Sequence, residues 1–69
     1  MMKKIKIKTE YIKLDQFLKY AGVVSNGGEA KVLIAEGLAK VNGDTELRRG
    51  RKLRVDDVVY FEGNEFVII

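Results

Sequence analysis

Lys4-Ile5-Lys6-Ile7-Lys8 alternates apolar and charged positions with period two, which predicts a strand with Ile5 and Ile7 turned inward and lysines outward. Lysine on an exposed edge strand discourages pairing with another molecule. From Leu14 the period lengthens. Leu14, Phe17, Leu18 and Ala21 follow the i, i+3, i+4, i+7 spacing of a helix with one buried stripe, about two turns long. Asp15 falls in its first turn, at the positive end of the helix dipole. Gly22 supplies a C-terminal stop, and Val23 is placed to fold back on the last turn. The second helix opens at Asn26, whose side chain can accept from a first-turn amide while Glu29 reaches back to the Asn26 N–H. Ala30, Leu33 and Ile34 form its buried stripe, and Gly37-Leu38 repeats the stop of Gly22-Val23.

Beyond Leu38 the pattern turns to strands. Val41-Asn42-Gly43-Asp44 places Asn-Gly where a two-residue hairpin turn needs positive φ. Near the end, Val58-Val59-Tyr60-Phe61-Glu62 and Glu65-Phe66-Val67-Ile68-Ile69 flank Gly63-Asn64, a second turn. That turn would set Phe61 opposite Phe66 and Val59 opposite Ile68 on one side of the sheet, with Tyr60–Val67 and Val58–Ile69 on the other. Phe17, Phe61 and Phe66 are then core residues rather than stacking platforms, whereas the pattern leaves Tyr11, Tyr20 and Tyr60 undecided. The predicted class is α+β: two short packed helices followed by a small antiparallel sheet, with an added N-terminal strand. A single domain is expected over residues 1–69.

Size and composition narrow the chemistry. A chain of 69 residues can bury only a modest core, which excludes a large enzyme. A third of the residues are Leu, Ile, Val or Phe, well above the range in which disorder is expected. With neither Cys nor His, a thiolate metal site and imidazole catalysis have no residues to build on, and no cofactor is expected. Asp56-Asp57 point to opposite faces in a strand and are solvated in a turn, so they do not make a cooperating carboxylate pair. Ser25 has no His to activate it, and Ser25-Asn26-Gly27-Gly28 lacks the ending of a P-loop. Catalysis is not expected. No apolar run approaches the ~18 residues of a membrane span, and the lysine-broken start is no secretory leader, so a cytoplasmic protein without a membrane partner is expected.

The net charge of +3 hides a marked segregation. Residues 1–25 carry +4, 26–47 carry −2, 48–55 carry +5 with no acid, and 56–69 carry −4. The run Arg48-Arg49-Gly50-Arg51-Lys52-Leu53-Arg54 is the densest charge feature of the chain. A solvated cationic loop would explain it, but the dominance of Arg, whose planar fork suits phosphate oxygens, favours binding of nucleic acid. Gly27-Gly28 leave first-turn N–H groups open to close approach by a phosphate, with Lys31 one turn on. Equally, the two glycines could merely permit a tight interhelical loop.

Lys13-Leu14-Asp15-Gln16-Phe17-Leu18, Asn26-Gly27-Gly28-Glu29-Ala30-Lys31-Val32-Leu33-Ile34-Ala35-Glu36-Gly37 and Lys40-Val41-Asn42-Gly43, in that order, resemble the S-four RNA-binding domain. The module is named after the small-subunit ribosomal protein, and the likeness extends over a core of residues 13–59. It is greatest to small stand-alone bacterial members, the YaaA/YbcJ type. The resemblance implies a helix pair and an adjacent loop presented to structured RNA. By position it implicates Lys13, Lys31 and Lys40, together with Asn26, Gly27 and Gly28 at the head of the second helix. Gly27 stands where many members carry Arg and Val32 where a second Arg often follows, so the second helix has lost positive charge. Arg48, Arg49, Arg51 and Lys52 are expected to compensate, beside the helices rather than on them.

The expected partner is therefore structured RNA, ribosomal RNA first and transfer RNA second, with ribosomal proteins as further neighbours and the chain a monomer. Four to six phosphate contacts would make log K fall against log salt with a slope of roughly −3 to −5. The competing expectation is a protein-interaction module on a ribosomal or other nucleoprotein complex, docking through apolar surface such as Val32, Tyr60 or Val67. A duplex-DNA role is third, since a second helix offering Lys31 between Glu29 and Glu36 is poorly equipped for a major groove.

Overall fold

The computed structural model describes residues 2–69. Strand β1 (Met2–Ile5) is followed by a two-residue strand β2 (Ile12–Lys13), helix α1 (Leu14–Tyr20) and helix α2 (Gly27–Ala35). Five further strands complete the chain: β3 (Ala39–Val41), β4 (Asp44–Thr45), β5 (Lys52–Leu53), β6 (Val58–Phe61) and β7 (Asn64–Ile68). They form a five-stranded sheet in the order β1-β7-β6-β3-β4 and a separate β2-β5 ribbon. All pairings are antiparallel except β1 with β7, so the larger sheet is mixed. The α+β arrangement of a helix pair followed by a sheet with an added N-terminal strand is the predicted one.

The helices form for the reasons their sequences suggest. Leu14, Phe17 and Leu18 of α1 and Ala30 and Ile34 of α2 are wholly buried, which places both stripes against the inner face of the sheet. Phe17 meets Phe66 edge to face, with ring centroids 5.6 Å apart, the geometry that aromatic quadrupoles prefer. Phe61, Leu53, Val59 and Ile68 belong to the same core, with Val24, Ala39 and Val41. Gly22 and Gly37 adopt φ of +79° and +82°. Behind them the Val23 N–H returns to the Leu18 carbonyl and the Leu38 N–H to the Leu33 carbonyl, closing both helices. Asn26 caps α2 by accepting from the Glu29 N–H at 2.9 Å. Glu29 reaches back as well, but to the Ser25 N–H at 3.1 Å rather than to that of Asn26, so the cap extends one residue further upstream than the sequence pattern implied.

The N-terminal strand lies earlier than the alternation predicts, at Met2–Ile5 rather than residues 4–8. Its partner decides this: β7 ends at Ile68, and beyond it only the Ile69 N–H to Ile5 and Ile7 N–H to Ile69 bonds continue the pairing. Ile5 and Ile7 both pack against the core, as expected, and β1 is an edge strand. The β6–β7 turn also differs. Its central residues are Glu62 and Gly63, both with positive φ (48° and 84°), rather than Gly63 and Asn64. Consequently Phe61 pairs with Asn64, Val59 with Phe66, Tyr60 with Glu65 and Val58 with Val67. The register is displaced by two residues, and because side chains alternate with period two, Phe61, Val59, Phe66 and Ile68 stay on the inner face.

The Asn42-Gly43 turn forms as predicted, with φ of 52° and 89°. Asn42 does more than turn the chain. Its side-chain oxygen accepts from the Val58 N–H at 2.9 Å, and its amide donates to the Asp57 carboxylate at 3.0 Å. The other Asp57 oxygen accepts from the Arg54 N–H at 2.8 Å. Asp57 is thus a structural tie between the β3–β4 turn and the end of the arginine segment.

Candidate nucleic-acid interface

Helix α1 lacks a side-chain N-cap: Lys13, at the capping position, is extended and its side chain makes no cap bond. Two of the orphan N–H groups of its first turn are satisfied by the arginine loop, and that of Gln16 by the Asp15 carboxylate at 2.7 Å. Leu14 N–H donates to the Arg51 carbonyl at 2.9 Å and Asp15 N–H to the Arg49 carbonyl at 3.0 Å. The loop itself turns through an Arg51 N–H to Arg48 carbonyl bond of 3.2 Å. It then enters β5, which pairs with β2 in the register Ile12–Leu53 and Lys13–Lys52. Arg49 and Arg51 are therefore fastened to the start of α1, and Lys52 and Leu53 to β2, through their backbone, so the charged side chains are not consumed by this anchoring.

Glu46 sets the direction of two of those side chains. It is 7% exposed and the one buried charged residue among those described; its N–H donates to the Ala39 carbonyl at 3.0 Å, which anchors it to β3. Arg48 forks onto its carboxylate through Nε and Nη2, both at 3.0 Å, and Arg51 Nη1 donates to it at 2.8 Å. The Arg48 N–H adds a bond of 3.1 Å. The Arg48 and then the Arg51 side-chain bonds outweigh the burial penalty and hold the Glu46 carboxyl down at about 2, from an ordinary 4.5. The same pairing raises the Arg48 guanidinium above its usual value.

The remaining cations of the segment have no such partner. Among the described residues the ion pairs are those of Arg48 and Arg51 with Glu46, so Lys13, Arg49, Lys52 and Arg54 are unpaired. Inward, the ribbon presents Leu53, fully buried, and Ile12, packed against the core. Outward, alternation puts Lys13 beside Lys52 and, one register step on, Tyr11 beside Arg54. Lys52 Nζ lies 4.9 Å and Arg54 Cζ 5.8 Å from the centre of the Tyr11 ring, contacts worth about 0.5–1 kcal/mol each at an exposed site. An open concavity of about 550 Å³ is lined by Arg48, Gly50, Arg51, Lys52 and Arg54, without an acidic residue.

The predicted site residues thus fall into two sets. Lys13, Arg48, Arg49, Arg51 and Lys52 are brought together by the ribbon and the loop at the start of α1. Asn26 caps α2, on which Gly27, Gly28 and Lys31 lie, and Lys40 lies on β3 with its Nζ 6.0 Å from the Tyr60 ring. At the head of α2 a Cβ on Gly28 would come within 3.2 Å of the Asn26 Oδ1 that caps the helix, whereas Gly27 has open space around it. Gly28 is accounted for by the cap. Glu29 brings a carboxylate to the same helix end, which opposes an anion there. Glu46 is absent from the predicted set, Tyr11 is left undecided by the pattern, and Arg54 enters only as the end of the arginine run. For Glu46 a signal existed, as the last acid before a run of arginines.

The S4 domain model matches residues 5–69, and the chain belongs to this family of RNA-binding modules, a class of binding proteins rather than enzymes. It is 51% identical over 63 residues to "Probable ribosome maturation protein RlbA" of Bacillus subtilis (strain 168), a match covering 91% of this chain and 89% of that protein. It is 34% identical over 62 residues to YbcJ of Escherichia coli (strain K12), covering 90% and 89%. The solution structure of YbcJ, described as revealing a motif involved in RNA-binding, superimposes with a TM-score of 0.70 at 31% identity over 99% of this chain and 85% of that one. The ribosomal protein S4e of Thermoplasma acidophilum shares the fold, with a TM-score of 0.62 at 24% identity over 84% of this chain and 31% of its own. No helix of the described residues is long and apolar enough to cross a membrane.

Proposed function

We propose that this protein binds structured RNA, ribosomal RNA during maturation of the ribosome, through the outer face of the β2–β5 ribbon and the arginine loop. The observation that carries the reading is the Lys13–Lys52 pair. Like charges directly opposite each other in a ribbon cost stability, and a fold that keeps them, with Arg54 alongside and none of the three in an ion pair among the described residues, has a use for concentrated positive charge. Phosphate oxygens supply the missing counter-charge. Glu46 removes rotamer freedom from Arg48 and Arg51 before RNA arrives, so less ordering remains to oppose binding. The likeness over nearly full length to a relative named for ribosome maturation supports ribosomal over transfer RNA.

Fluorescence anisotropy with a folded ribosomal RNA fragment tests this. Affinity should fall steeply with salt, log K against log salt having a slope of about −3 to −5, and transfer RNA should bind more weakly at every salt concentration. A salt-independent affinity, or no binding, would refute the reading and leave a protein partner as the alternative. Protein purified at low salt should also carry excess absorbance at 260 nm that high salt strips away.

A further inference from the structure

Tyr11 links two concavities of opposite character. Its ring is contacted by Lys52 and Arg54, which line the cationic hollow. Tyr11 itself lines a second open hollow of about 460 Å³ with Thr9, Glu10, Ile12 and Gln16. That second hollow contains a carboxylate and no cation, so it repels phosphate and suits an uncharged, flat group. Tyr11 is 37% exposed, and its backbone is steadied by the Thr9 hydroxyl donating to the Tyr11 carbonyl at 2.7 Å. Gln16, exposed in the first turn of α1, offers an amide donor and acceptor at the rim.

We infer that Tyr11 is a stacking platform for one unpaired nucleobase, which enters the hollow beside Gln16 while its phosphate is held by Lys52 and Arg54. This deepens the RNA-binding reading and rests on it. Stacking needs a base freed from its helix, since paired bases bury their faces against one another. The ligand is therefore a bulged or looped-out nucleotide within a folded RNA, and the cations beside Tyr11 already stand where its backbone must pass. In free protein those cations rest over the ring; on binding they transfer to phosphate, and the ring is left to the base.

The test uses three RNA hairpins, identical except that one has a single bulged nucleotide, one an abasic residue at the bulge, and one no bulge. Wild-type protein should bind the bulged hairpin about five- to a hundredfold more tightly than the abasic one, the range found for loss of one base–aromatic stack. Tyr11→Phe should keep that ratio and Tyr11→Leu should bring it to about one. A 2-aminopurine placed at the bulge should be quenched by wild-type protein and by Tyr11→Phe but not by Tyr11→Leu. Equal binding of the bulged and abasic hairpins by wild type, or a ratio that survives Tyr11→Leu, overturns the stacking site while leaving RNA binding intact. Failure to bind any of the three overturns both.

Discussion

Two parts of this molecule are rich in positive charge and have little else in common. The N-terminal segment carries Lys3, Lys4, Lys6 and Lys8, spread along an edge strand and the residues after it. Lys3 pairs with Phe66 and places its ammonium 5.8 Å from that ring, so its stem covers core. Lys6 contributes a carbonyl to the Tyr20 hydroxyl at 3.0 Å. These lysines protect an edge and cover apolar surface. Residues 48–54 carry a similar charge, but their backbone caps a helix, two of their guanidiniums are fixed by a buried carboxylate, and Lys52 and Arg54 face the same way as Lys13. Charge that is held in place can meet a surface of fixed shape, whereas charge on free stems must first be ordered. Density of lysine and arginine along the chain does not separate the two cases; what the cations are attached to does.

The largest effect should come from reversing the unpaired cations of the ribbon. Lys52→Glu with Arg54→Glu should weaken binding of a ribosomal RNA fragment by about tenfold or more and flatten the salt slope by about 2, with unchanged circular dichroism; unchanged affinity would remove the ribbon from the interface. Glu46→Gln comes next. It should lower stability by about 1–2 kcal/mol in urea unfolding and loosen RNA binding several-fold, because Arg48 and Arg51 lose their brace. If affinity instead rises, the carboxylate acts as a competitor for phosphate and not as a support. The pH dependence sharpens the same point. Since folding lowers the Glu46 pKa to about 2, its stabilisation is complete above about pH 4.5 and drains away as pH falls toward 2. Thermal unfolding of wild type and Glu46→Gln should therefore differ at pH 6 and converge near pH 2. Lys31→Glu, on α2 and outside the ribbon and loop, should cost only a few-fold in affinity. Smallest of all, Lys4→Gln should change RNA affinity less than about twofold, and a larger loss would show that the edge strand also meets RNA.

Much of the scaffold was readable from local pattern because local interactions make it. The Asn26 cap, the stops at Gly22 and Gly37 and the Asn42-Gly43 turn each depend on neighbours a few residues away. The β6–β7 register differs from the predicted one because two turns, Glu62-Gly63 and Gly63-Asn64, share a glycine and keep the same inner face, so the hydrophobic pattern cannot choose between them. The placement of β1 depends on where a strand some sixty residues later ends. In the site, the arginine run was plain, but its setting was not. Strands of two residues such as Ile12–Lys13 and Lys52–Leu53 have no period to detect, and only their pairing brings Tyr11 to Arg54. For Glu46 the sequence offers only its place as the last acid before the arginines; its burial beneath two guanidiniums comes from folding.

The place of β7 between β1 and β6 has a consequence for biosynthesis. Because a ribosome releases the chain from its N-terminal end, β1 emerges first yet waits for its neighbour until residues 64–68 have been translated. Helices α1 and α2 can pair meanwhile, but Phe17 has no Phe66 to meet, and the larger sheet lacks an interior strand. Nascent protein should thus remain sensitive to protease until those residues clear the exit tunnel, then gain resistance in one late step rather than gradually.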